Sequence, residues 1–194
     1  MLAVGFVAYI LFSVSQMLQG GETGTAGSLA WAASNNDWQW IMPIRLLAVS
    51  LMLVFTVGFT SWSRNFNESS GVLHLGTYFT LLGAFFMFVS IVSQGGGFDT
   101  ASDSSEPVAA AHALLKLSGM TSFIGGISFA FGLFLVGTKL YLDKLGTPSL
   151  NGLIGLLGII AVVGGFINWF IWVICFGIAL LLLAIIGLQQ FKRN

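Results

Sequence analysis

The chain has 194 residues, of which 56% are hydrophobic and only 7% charged, and its seven basic and seven acidic side chains cancel. A soluble domain carries about 25% charged residues, so these few cannot cover a water-facing surface, and the solvent for most of the chain is lipid. The zero net charge removes any electrostatic case for nucleic acid, and a single cysteine, Cys175, excludes an intramolecular disulfide and a thiolate metal cluster.

A membrane-crossing helix needs about 20 largely apolar residues. The first candidate runs from Met1 to Leu18. No Lys or Arg precedes Arg45, so the basic start of a secretory signal is missing and the segment is expected to be a retained span. Gln19 to Trp40 reads as a loop rich in Gly, Ser, Thr and Asn. The second span is expected at 41–62 and the third at 73–93. A second loop, Gln94 to Leu117, opens with Gly95, Gly96 and Gly97 and carries Asp99, Asp103 and Glu106. Inside it Ser105-Glu106-Pro107 resembles a helix start, with Ser as cap, an acid in the first turn and Pro early. The helix that follows either lies along the interface or runs straight into the fourth span, 118–142, with Gly119 as the candidate bend.

The last apolar block, Leu153 to Leu188, would be about 54 Å long as one helix, against a hydrocarbon core of about 30 Å. It is therefore divided into spans 153–168 and 170–188, with the turn between Gly164 and Trp169, where Gly164, Gly165 and Asn168 weaken a helix. Six spans put both termini on one side, together with Arg64, Lys139, Lys144, Lys192 and Arg193, and leave only Arg45 and Lys116 on the other. The positive-inside rule makes the first side cytoplasmic.

Of the six tryptophans, Trp38, Trp40, Trp62 and Trp169 are expected as interfacial anchors, with Trp31 and Trp172 also near span ends, because indole rings favour the headgroup level. Small residues recur at helical spacing in span four: Ser118, Ser122, Gly126 and Ala130 on one face, Ser128 and Gly132 as a second pair. Gly152, Gly155 and Gly158 do the same in span five. Such faces permit close helix approach, either inside one monomer or between copies.

Arg45 lies four residues into the second span, after Pro43. An ionisable group there is costly, so it snorkels to the headgroups or pairs with Asp37, Asp99 or Glu106. His74 and His112 fall on opposite sides of the membrane and cannot converge on one ion. No metal site, cofactor or catalytic motif is visible: there is no G-x-S-x-G, H-E-x-x-H or P-loop. Midplane carboxylates, the usual mark of an ion-coupled carrier, are missing too.

The stretch TSFIGGISFAFGLFLVGTKLYLDKLGTPSLNGLIGLLGIIAVVGG, Thr121 to Gly165, is a glycine-rich span, a short loop with Lys and Pro, and a second glycine-rich span. With Arg45 opening the second span, it resembles the DUF4386-type family of small bacterial membrane proteins. The resemblance implies architecture and no activity.

The expected fold is an all-α bundle of six membrane spans in a single domain, at home in a bacterial inner membrane. The expected function is that of a non-catalytic accessory subunit, bound to lipid and to other membrane proteins or itself. The alternatives are a small carrier or channel for an uncharged or lipid-like solute and, third, an intramembrane enzyme.

Overall fold

The computed structural model describes residues 1–19, 24–34, 37–67, 69–103 and 108–191. Among them every regular element is a helix: α1 (Leu2–Leu18), α2 (Gly24–Ser34), α3 (Trp38–Arg64), α4 (Gly71–Ser102), α5 (Val108–Leu142), α6 (Pro148–Ile167) and α7 (Trp169–Phe191). Five of these, α3 to α7, are long and apolar enough to cross a membrane. The protein is thus an all-α polytopic bundle. α1, with 17 residues, sits at the short end of the range for a spanning helix.

Each long helix packs antiparallel against the next, and α1 closes the series into a ring. Ser15 near the end of α1 meets Arg45 near the start of α3, and Gly5 lies against Phe55. On the other flank Tyr9 touches Gly177, and Leu2 touches Gly187 of α7. The ring order is therefore α1, α3, α4, α5, α6, α7.

The centre of the ring is filled with aromatic rings from opposite walls. Phe55 stacks on Phe129 at 5.9 Å, Phe129 meets Phe176 edge-on at 4.9 Å, and Trp172 stacks on Phe176 at 5.0 Å. In lipid, burying apolar surface between helices yields little, so cohesion comes from close packing. Interlocked rings provide it, each pair adding about 0.5–1.5 kcal/mol.

The tightest seam joins α4 and α5. Down α4, Gly76, Gly83, Ser90 and Gly97 recur every seven residues; back along α5, Gly132, Gly125, Ser118 and Ala111 do the same. The pairs face one another: a Cβ on Gly132 would lie 2.5 Å from the Gly76 carbonyl oxygen, and one on Gly83 would lie 2.6 Å from that of Gly125. Ser90 and Ser118 bridge through their hydroxyls at 3.1 Å. A seven-residue period keeps such a seam closed when the helices wind left-handedly.

Two expectations about loops change, and one of two alternatives is met. Residues 24–34, read as loop, form α2, because Leu29, Trp31 and Ala32 have an apolar bed: Trp31 packs edge-on against Phe98 at 5.5 Å. Gly95 to Gly97, read as a loop opening, lie inside α4, where Gly97 makes room for Leu115. α5 runs through Gly119 without a break. The Ser105-Glu106-Pro107 cap falls outside the described residues. The last apolar block divides at Asn168, whose backbone is extended and whose side-chain oxygen accepts from the Phe170 N–H at 2.9 Å, starting α7.

Candidate functional site

The polar centre of the bundle is Arg45, whose surroundings differ from the snorkelling expectation and from a pairing with Asp37 or Asp99. It does not snorkel: the whole residue is 0% exposed. Among the described residues no carboxylate pairs with it, the Lys139–Asp143 bridge at 2.9 Å being the ion pair found there. Asp37 instead accepts from the Trp40 indole at 3.3 Å, at the surface. Asp99 is exposed and makes no bond to Arg45. Glu106 lies outside the described residues.

What holds Arg45 is a set of neutral oxygens from two other helices. Its Nη2 donates to Gln19 Oε1 at 2.7 Å and to the Ser15 carbonyl at 3.1 Å. Its Nε donates to Ser15 Oγ at 3.3 Å, and its Nη1 to Gln94 Oε1 at 2.8 Å. The Ser15 hydroxyl hydrogen goes to the Phe12 carbonyl at 2.6 Å, leaving its lone pairs for the guanidinium. Physically the arrangement is a C-terminal cap. The last carbonyls of α1 have no helical N–H partner and form the negative end of its dipole. A cation is stabilised there, and among the described residues no carboxylate takes part. The planar fork of Arg reaches α1 and α4 at once, which a lysine ammonium does not match.

The small-residue face of α5 is consumed within the chain. Ser118 is bonded to Ser90, Gly132 lies on Gly76, Ala130 is buried beside Ala161, and Gly126 lies under the Trp172 indole. Gly155 of α6 packs on Gly137 and Thr138. Ser128 is half-buried, and Ser122 alone of this set is exposed.

The expected anchors divide. Trp40 and Trp169 are exposed, Trp169 at 66%. Trp62 is 8% exposed, stacked on Phe59 at 5.7 Å and edge-on to Phe66, so its ring is part of the core. Trp38 is half-buried against α2 and α4, with no acceptor for its indole N–H among the described residues.

Sequence reasoning assigns Trp172 only a place near a span end. Its ring stacks in the core, yet its Nε1 is enclosed with no acceptor among the described residues. It stands beside a groove of about 330 Å³ between α5 and the α6–α7 turn, floored by Gly119, Ser122, Gly126 and Gly165. The signal available in the sequence was the coincidence of Gly164, Gly165 and two tryptophans at one turn.

Among the described residues no three His, Cys, Asp or Glu side chains gather as a metal site. Compared with family models, curated proteins and solved structures, the chain matches none of them.

Proposed function

We propose that this integral membrane protein is a non-catalytic accessory subunit that offers a rigid platform to a membrane partner. The carrying observation is the length of α4 and α5. With 32 and 35 residues they span about 48 and 52 Å, well beyond a hydrocarbon core of about 30 Å. α6 turns back at Asn168, just past Phe166, which meets Phe123 of α5 at 5.4 Å, so the first turns of α5 stand about 20 Å past that turn. α2 packs against this projection. The N-terminal half of α5 exposes the apolar side chains of Val108 (74%), Leu117 and Met120, which are available to a partner. The aromatic filling of the ring and the capped Arg45 favour work at the surface over passage through the middle.

The test is purification from the native membrane in mild detergent, followed by mass spectrometry of whatever accompanies the chain. A stoichiometric partner, lost when Val108→Asp and Met120→Asp are introduced, is expected. A lone protein from both preparations would sink the reading.

A second reading, a small carrier for a lipid-like solute, is favoured by the groove beside Trp172. It calls for solute-dependent thermal stabilisation of the isolated protein.

A further inference from the structure

We infer that the groove between α5 and the α6–α7 turn holds the ester region of one membrane glycerolipid. The groove measures about 330 Å³, within the range of about 300–1,000 Å³ for small-ligand sites. Its lining carries no charged side chain, and its nitrogen-bound donors are the indoles of Trp169 and Trp172. Trp172 Nε1 is enclosed and has no acceptor among the described residues. Ser122, also in the lining, is an exposed residue. A neutral amphiphile that presents acceptor oxygens fits this chemistry, because an N–H without a partner in an apolar place is costly.

Position narrows the choice. α6 and α7 end at this turn while α5 continues past it, so the groove is a ledge, with Phe123 and Phe166 packed edge-on at 5.4 Å as its wall. Trp169, Phe166 and Ile167 are exposed at the same level, the aromatic signature of the headgroup boundary. The ester carbonyls of a glycerolipid sit at that boundary. A transmembrane helix of a second copy is a poorer occupant, since its carbonyls are already bonded to its own N–H groups. Glycine makes the approach possible: a Cβ at Gly119 meets nothing within 4 Å, and one at Gly165 meets nothing nearer than 3.8 Å. The proposal does not rest on the accessory-subunit reading, since one experiment counts lipids and the other counts proteins.

The test is native mass spectrometry of the delipidated full chain, titrated with diacyl phosphatidylcholine and with its dialkyl-ether analogue of equal chain length. One diacyl lipid is expected to be retained about fivefold more tightly than the ether, as one or two hydrogen bonds allow. Gly119→Leu fills the groove from a position with open space, and Trp172→Phe removes the donor while keeping the ring. Gly119→Leu is expected to lose the bound lipid and Trp172→Phe to lose the ester preference, each with melting in lipid-free detergent as the check on folding. Equal retention of the two lipids by the native chain, or undiminished retention by a folded Gly119→Leu, overturns the proposal. So does a lipid-free dimer that Gly119→Leu dissolves, which would assign the groove to a second copy.

Discussion

Gly83 and Gly125 meet backbone to backbone at the middle of the α4–α5 seam. A Cβ on the first would lie 2.6 Å from the carbonyl oxygen of the second, and a Cβ on the second 2.9 Å from that of the first. Neither obstacle is a flexible side-chain tip, so the helices must part to admit even a methyl group. Gly83→Ala and Gly125→Ala are each expected to cost about 1–3 kcal/mol, read by reversible unfolding in detergent. Gly119→Ala, with open space around it, is expected to be neutral or to stabilise by up to about 1 kcal/mol through helix propensity. Equal effects at the three sites would mean that the seam is looser than this geometry.

Arg45 supplies the second prediction. Arg45→Ala removes four charge-assisted hydrogen bonds and unties α1 from α4 at that end. A loss of roughly 2–4 kcal/mol is expected. Arg45→Lys keeps the charge but not the fork and is expected to recover less than half of it. Asp37→Asn is expected to change stability by less than about 0.5 kcal/mol, because the Asp37 side chain is exposed and its bond among the described residues is to the exposed Trp40 indole. A large Asp37 effect, or a strong salt dependence of the Arg45 effect, would restore the ion-pair arrangement.

These two sites show what was legible beforehand and what was not. The apolar blocks and the turn near Asn168 followed from hydropathy, length and the weakness of Gly-Gly and Asn in a helix. Arg45 drew notice through its cost, but its partners did not, because Gln19 and Gln94 are neutral and the helix dipole of α1 has no letter in the sequence. A search for counter-ions led to Asp37, Asp99 and Glu106. The α4–α5 seam was hidden by its period. Ser118, Ser122, Gly126 and Ala130 share a four-residue step, but that stripe is split between neighbours: Ser118 to α4, Ser122 to the groove, Gly126 to Trp172, Ala130 to α6. The seam runs on the seven-residue steps through Ser118 and Gly125, matched on α4. α2 was missed because glycine and serine dominated the reading of a segment in which Leu29, Trp31 and Ala32 had tertiary partners.

Asn168 carries the third prediction. It ends α6 with its backbone N–H, which donates to the Gly164 carbonyl at 2.7 Å, and starts α7 with its side chain, which accepts from the Phe170 N–H at 2.9 Å. Asn168→Ala leaves that donor unsatisfied and is expected to cost about 1 kcal/mol, whereas Asn168→Ser or Asn168→Asp keeps an acceptor and stays within a few tenths. The ranking Asn, Asp and Ser above Ala in unfolding measurements checks it. A neutral Asn168→Ala would show that packing of Gly164 against Ile171 alone holds the turn.

The closure of the ring is tested by its most distant neighbours in sequence. Leu2 at the start of α1 lies beside Gly187 near the end of α7, with its Cβ 3.0 Å from where a Cβ on Gly187 would stand. A disulfide has Cβ atoms about 3.5–4.5 Å apart, so Leu2→Cys with Gly187→Cys requires only a slight shift. In a Cys175→Ala background, which removes the chain's single natural thiol, mild oxidation in the membrane is expected to link the pair within one molecule. The product would migrate faster in non-reducing gels and revert with reductant. The control pair Leu18→Cys with Gly187→Cys, at opposite ends of antiparallel helices, is expected to stay reduced. Efficient linking of the control, or none in the test pair, would mean that α1 does not close the ring against α7. In that case the aromatic centre formed by Phe55, Phe129 and Phe176 would be open to lipid along the flank where Tyr9 now touches Gly177 and donates to the Val173 carbonyl at 3.1 Å.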